Sequence, residues 1–265
     1  MSNPAEVYET CFVPTQFGPI ADPLVKAASP RPGDRVLDVA CGTGIVLRKV
    51  APHVEPRGSL TGIDMNPKML EHARHLADQN GLNVDLRQAT VEELPFPDGS
   101  FDLVLCGHGL QFFPDRRAAL DEMCRVIDIG GRIGISVWRG PTYHALEQAL
   151  FECFEQQLGI SGAVAPFSLG DEDELRRLLS ETGFSSIEIA QASITVGSPD
   201  PDQFLSLKAQ GASAAIPAMQ QLDDSTRQQV LETIKREMNP HVKAHTVNGY
   251  VLEPMHAHIA HALRA

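Results

Sequence analysis

Two aspartates and a glycine turn carry the chemistry open to this chain. Asp38 stands inside the apolar run 36–39, which stops in the turn Ala40-Cys41-Gly42-Thr43-Gly44, and Asp64 closes the next apolar run, 59–64. Gly42 and Gly44 have no Cβ, so the turn can adopt dihedrals closed to other residues and admit a ligand against bare backbone. The helical pattern that follows offers unpaired N–H groups. Strand, turn and helix in this order hold nucleoside-containing ligands. A dinucleotide site would place a third glycine where Leu47 stands, and Asp38 would repel a phosphate. A ligand bearing an ammonium group suits that acid better. Asp64 follows the turn at about the 20-residue spacing of an acid that accepts from ribose hydroxyls.

The elements that position these groups alternate along the chain. Pro67 opens a helix through Met69, Leu70, Ala73 and Leu76, spaced by three and four and ending near Asn80-Gly81. Further strands are expected over 84–88, 101–106 and 132–137, and a helix over 118–127 carries Leu120, Met123, Cys124 and Ile127 on one face. Right-handed crossovers bring the strand C-termini to one edge, with Asp38, Asp64, Thr90 and Cys106 together there. Beyond Trp138 helices are expected over 146–158 and 175–179, then a long strand over 187–196. Residues 202–247 follow as amphipathic helices whose charged segment, 223–238, has the character of an insertion. The segment 255–263 alternates as a strand, with a helix as the alternative, and suits an antiparallel edge strand at the end of the sheet.

Four motifs in order resemble the class I S-adenosylmethionine-dependent methyltransferases, specifically the small-molecule branch that includes the quinone-biosynthesis enzymes. They are V-L-D-V-A-C-G-T-G over 36–44, T-G-I-D-M-N over 61–66, E-E-L-P-F-P-D-G-S-F-D-L-V-L over 92–105 and E-M-C-R-V-I-D-I-G-G-R-I over 122–133. Gly183-Phe184 extends the likeness past residue 138. The resemblance implies an α/β fold, a doubly wound, Rossmann-like sheet of seven strands, mostly parallel with an antiparallel final strand, plus a helical cap. It implies S-adenosyl-L-methionine as cofactor, held by Asp38, Ala40, Cys41, Gly42, Gly44, Asp64, Met65, Met69, Thr90, Val91 and Cys106. Thr90 departs from the family, which commonly has an aspartate there to accept from the adenine amino group. A hydroxyl still accepts one hydrogen bond. Lid helices are expected over 1–30 and the methyltransferase domain over 31–265, with cap insertions at about 139–182 and 197–250. In the lid, Tyr8, Phe12, Phe17 and Ile20 are spaced by four, five and three; they either pack as ordinary core or belong to a segment that closes over the cofactor.

Composition narrows the partners. A formal charge of −12 disfavours a nucleic-acid substrate, because a polyanion calls for clustered Lys and Arg. No apolar run approaches the length of a membrane span and residues 1–12 are too polar for a secretory signal, so a cytoplasmic location is expected. Five cysteines at irregular spacing read as reduced thiols, with Cys41 and Cys106 able to line the cleft. Ten histidines form no complete metal-ligand set: His256, His258 and His261 follow strand alternation, and His72 and His75 lie three apart on a helix face. No metal is expected, and a homodimer is compatible with the sequence.

Methyl transfer needs alignment in a dry site more than it needs a catalytic triad. If the acceptor is a hydroxyl or an acidic carbon, a base helps. His108, just past the fourth strand, is the first candidate and His144 the second, while the competing reading of His108 is a structural one. Gln111, Phe112 and Trp138 are candidates to line the acceptor pocket. The function expected is methyl transfer to a small, partly apolar metabolite, at oxygen in preference to carbon or nitrogen. The alternatives are a regulatory protein that binds S-adenosylmethionine without transfer and a lyase or cyclase on the same scaffold.

Overall fold

The apolar runs become strands of one sheet. A computed structural model describes residues 4–161 and 165–265, so the start of the expected lid, 1–3, and 162–164 of the expected cap lie outside the described residues. The strands are β1 (Arg35–Val39), β2 (Ser59–Asp64), β3 (Val84–Gln88), β4 (Phe101–Gly107), β5 (Ile127–Trp138), β6 (Phe184–Ser198), β7 (Thr246–Val247) and β8 (Tyr250–Arg264). They lie in the order β3-β2-β1-β4-β5-β8-β6, with β7 paired to β8 alone. The expected seven-stranded sheet thus gains an eighth, two-residue strand, closed by the turn at Asn248-Gly249. β1 to β5 pair in parallel and β8 runs antiparallel to β5. β8 is an interior strand rather than the expected edge strand, because Ala257, His258, Ile259 and Ala260 are buried in succession and β6 takes the outer place.

Strand alternation divides the sheet into two faces, each covered by helices. Leu37, Val39, Val104, Cys106, Ile133, Ile135 and Val137 form one core with Leu120 and Met123 of the helix Arg116–Val126. Asp115 caps that helix by accepting from the Ala118 N–H. The opposite face is packed by Ile20, Ala21, Leu24 and Ala28 of the helix Gly18–Ala28 and by the helix Ile45–Val54. Leu24 and Ala28 lie so close to Gly134 that a Cβ there would sit 2.9 Å from Ala28.

The chain forms two compact units, Met1–Trp138 with Leu169–Ala192 and Ala257–Ala265, and Arg139–Ser168 with Ser193–His256. The helix Glu172–Glu181 falls in the first, although the cap was expected to reach residue 182. Its Leu175, Leu178 and Leu179, spaced by three and one, join the sheet core, and Asp171 accepts from the Asp173 and Glu174 N–H groups at its start. In the second unit the helix Asp224–Ala244 packs on Ala145–Leu158 and Pro201–Ala215. Ile234, Met238 and Val242 bury its apolar stripe, so the segment expected as an insertion is that unit's central helix.

The second unit also encloses an ion cluster. Lys208 pairs with Glu147 and, at 2.7 Å, with Glu253, and all three side chains are almost wholly buried. The lysine stays charged between two carboxylates, which raise its pKa against the opposing effect of burial. Lys208→Met would leave two buried carboxylates without a cation and is expected to destabilise this unit by about 3–5 kcal/mol in a urea or thermal melt. Lys49→Ala, which opens the exposed pair with Asp22, should cost less than about 1 kcal/mol.

Candidate functional site

β1 ends in a turn whose backbone leaves the ordinary region three times in five residues, with Ala40 at φ 56°, Gly42 at φ 54° and Gly44 at φ 84°. Ala40 takes that conformation against the steric cost of its Cβ. Gly44 then starts the helix Ile45–Val54. Leu47, where a dinucleotide site would have glycine, is accommodated from the other side: a Cβ on Gly62 of β2 would lie 2.8 Å from its Cδ1.

Asp64 braces this turn. Its Oδ2 accepts from the Gly42 N–H at 2.9 Å and its Oδ1 from the Asn66 N–H at 2.8 Å, so one carboxylate joins the turns after β1 and β2. The Cys41 N–H donates to the Ile63 carbonyl at 2.9 Å and closes the same junction. Asp38 is the opposite case. It is 1% exposed, and neither oxygen accepts a hydrogen bond from any described residue. Burial, and then the nearby charge of Asp64, holds its carboxyl well above the usual carboxylate range.

The N-terminal segment covers the turn. Tyr8–Phe17 is a π-helix, and its wider turn brings the four- and five-residue spacing of Tyr8, Phe12 and Phe17 onto one face. Tyr8 stacks on Phe17 at 5.0 Å between ring centroids, and a Cβ on Gly42 would meet the Tyr8 ring at 3.7 Å. Glu9 fastens the segment: it accepts from Thr43 Oγ1 at 2.5 Å and pairs with Arg48 at 2.7 Å. Burial raises the Tyr8 phenol's pKa, with Asp64 and Asp38 adding to the effect, so it stays protonated.

Beside the turn lies a cavity of about 660 Å³, within the range of small-molecule sites. Ala40, Gly42, Asp64, Met65, Met69, Thr90 and Val91 line it, as do His108 and Phe112. Tyr8, Phe17, Ile63, Asn66, Glu92 and Phe113 also belong to its wall. Asp38 and Cys41 line a smaller chamber of about 20 Å³, which Tyr8, Phe17, Ala40 and His108 border too. Two residues expected at the cofactor line neither space. Gly44 shapes the turn and starts its helix, and Cys106 points into the sheet core with its thiol pushed up to about 12 by burial.

His108 has φ 57°, and its N–H donates to the Ser136 carbonyl at 2.9 Å. Its ring lies on Trp138 at 4.0 Å and 30°, with Phe17 at 5.7 Å. Trp138 therefore supports the histidine and does not line the cavity itself. Gln111 also turns inward from the short helix Leu110–Phe112, its side-chain oxygen accepting from the Trp138 N–H at 3.1 Å, while Phe112 stays half exposed at the cavity. His144 belongs to the second unit. Its Nε2 lies 3.2 Å from the Arg139 carbonyl, and burial pushes its pKa down to about 4, which keeps the ring neutral. Among the described residues no group of His, Cys, Asp and Glu could hold a metal ion, and no helix is long and apolar enough to cross a membrane.

Residues 36–131 match a family described as a methyltransferase domain. The aklanonic acid methyltransferase DauC of Streptomyces sp. strain C5 is 35% identical over 184 residues, which cover 64% of this chain and 84% of that protein. A demethylmenaquinone methyltransferase of Staphylococcus aureus is 32% identical over 179 residues, 63% of this chain and 74% of that one. The crystal structure of the YcgJ protein of Bacillus subtilis shares the fold at a TM-score of 0.62 and 20% identity, covering 92% of this chain and 97% of that one. Methyltransferase relatives that align along most of their own length, and a doubly wound sheet with its glycine turn after β1, place this chain in the class I S-adenosylmethionine-dependent methyltransferases, as an enzyme of the small-molecule type.

Proposed function

We propose that this methyltransferase binds S-adenosylmethionine along the turns after β1, β2 and β3 and methylates a small, partly apolar metabolite, at oxygen in preference to carbon or nitrogen. The observation that carries this reading is the buried carboxylate of Asp38 with no donor among the described residues, beside a cavity of about 660 Å³ whose wall is largely apolar. A carboxylate so placed is costly unless a cation meets it, and the α-ammonium of the donor is such a cation. Both named relatives take a small-molecule acceptor, which agrees with a cavity of this size.

S-adenosylmethionine, when bound, supplies a methyl carbon activated by a sulfonium and leaves as a neutral thioether. The chain's own residues bind and orient. Asp38 holds the ammonium, and Asp64 keeps lone pairs for the ribose hydroxyls after its bonds to the Gly42 and Asn66 N–H groups. Thr90 and Val91 border the adenine, with Met65 and Met69 packing on the nucleoside. Tyr8 and Phe17 exclude water. At the acceptor, His108 takes the proton that a hydroxyl loses as its oxygen bonds to carbon, and Phe112 contacts the apolar body. Trp138 and Gln111 act through His108, by supporting its ring and anchoring the Trp138 backbone.

Asp38→Asn is expected to weaken binding of S-adenosylmethionine by about 1.5–3 kcal/mol in calorimetry, the range of a hydrogen bond to a charged group. The same change should raise the melting temperature of the ligand-free protein at pH 8. The raised pKa means that the folded chain holds its Asp38 proton more tightly than the unfolded chain, so the penalty is absent below the ordinary aspartate pKa and grows as pH rises above it. The stabilising effect of Asp38→Asn should therefore fade as pH falls towards 4. A ligand-free melting temperature that drops at pH 8 would contradict the account. For the base, His108→Asn keeps a residue tolerant of positive φ, and should lower turnover by about 10²-fold with cofactor affinity unchanged. Normal turnover would remove His108 from that role.

A further inference from the structure

Ser136 is buried among apolar neighbours, and nothing in its sequence context, I-G-I-S-V-W, points to a role. It is 0% exposed, and its hydroxyl makes no hydrogen bond with any described residue. Strand alternation explains which way it faces. Val104 and Cys106 of β4, and Ile135 and Val137 of β5, point into the core with Leu37 and Val39 of β1. Asp38, Gly107 and Ser136 therefore share the opposite face. The register pairs Gly107 with Ser136, and a Cβ on Gly107 would lie 4.0 Å from the Ser136 Oγ and 3.0 Å from Val46. Because that position is glycine, the chamber of about 20 Å³ reaches both Ser136 and Asp38.

Asp38 and Ser136, each more than nine-tenths buried, thus face one small space whose wall also includes Ile20, Leu24 and Val46 and the rings of Tyr8 and His108. A space this size takes one polar atom with its hydrogens. The carboxylate needs donors and positive charge, while the hydroxyl can accept or donate. A carboxylate ligand is repelled by Asp38, and a neutral hydroxyl brings no charge. An ammonium meets every requirement, with three N–H donors, one positive charge and a single heavy atom. Resting on the donor reading given above, we propose that Ser136 is the second half of the ammonium subsite, its Oγ accepting one N–H of the donor's α-ammonium while Asp38 accepts the others. Ser136 then makes the site selective for the amino-acid end of the donor over its nucleoside end.

The test is calorimetry of the wild type and Ser136→Ala with two probes, S-adenosylhomocysteine and 5′-methylthioadenosine, which keeps the nucleoside thioether and lacks the amino acid. Melting of the ligand-free proteins is followed alongside. Ser136→Ala is expected to raise the Kd for S-adenosylhomocysteine about tenfold, as for one lost hydrogen bond to a charged group, and to change that for 5′-methylthioadenosine less than about twofold. The ligand-free melting temperature should hold or rise, because a buried hydroxyl without a protein partner is removed. An equal loss for both probes, with or without a lower melting temperature, gives Ser136 a structural role and overturns the proposal. Unchanged affinity for both overturns it as well, and leaves that hydroxyl no more than a water contact. A wild type that binds neither probe overturns the donor reading itself, an outcome separate from any difference between wild type and variant.

Discussion

Asp38 is a carboxylate at the end of a central strand, enclosed by packing and without a donor among the described residues, and the surrounding structure keeps it there. Left to itself, such a group would turn towards water or draw water in. The side chain stays inside because β1 is held on both sides, by β2 from Arg35 to Val39 and by β4 from Val36 to Asp38, and because Val36, Leu37 and Val39 are fully buried beside it. Leu24 of the helix Gly18–Ala28 and Val46 of Ile45–Val54 close the chamber it faces. The cost of enclosing this acid is carried by the apolar contacts of both faces. Such local conflicts between stability and chemistry are expected at functional sites.

Asp64 solves the complementary problem. A turn with three left-handed residues has little regular hydrogen bonding of its own, yet it must present its backbone in one geometry. The two bonds from Asp64 to the Gly42 and Asn66 N–H groups tie the ends of β1 and β2 into one rim. On the outer side Glu9 does the same through Thr43 and Arg48, with the Arg48 guanidinium also donating to the Thr43 carbonyl at 2.7 Å. Glu9 and Asp64 thus grip the turn from opposite directions, one from the N-terminal π-helix and one from the sheet. Tyr8 can lie over Gly42 because the ion pair beside it holds its helix in place.

The parallel strands, the glycine turn and the pair Asp38 and Asp64 were legible in the sequence because each depends on a local pattern: an apolar run, a turn at its end, an acid at a fixed spacing. What depends on long-range pairing was not. Ser136 reaches Asp38 only through the registers of β5 on β4 and of β4 on β1, and Glu9 meets Thr43 and Arg48 across more than thirty residues. Cys106 was expected at the cleft because it ends an apolar run. The two-residue period sends it to the core with Val104, and its neighbour Gly107 faces the chamber. The cap limits differ for a similar reason: the packing of Leu175, Leu178 and Leu179 commits the helix Glu172–Glu181 to the sheet core.

His108, the proposed base, shows how the same sheet edge fixes the geometry of the proposed acceptor side. A histidine with positive φ has little intrinsic preference for one position, yet three constraints fix it. Its N–H is bound to the Ser136 carbonyl, its ring lies on Trp138, and Trp138 is itself anchored through its own N–H to Gln111. Ser136 therefore stands between the two ends of the reaction, with its carbonyl on the proposed base and its hydroxyl facing the proposed ammonium subsite. A shift of β5 along β4 would displace both together. The separation between the proposed ammonium subsite and the proposed base is then set by one parallel register, Gly107 opposite Ser136, rather than by independently placed loops. That coupling suits a reaction whose rate depends on alignment, where an error of about 1 Å can cost two orders of magnitude.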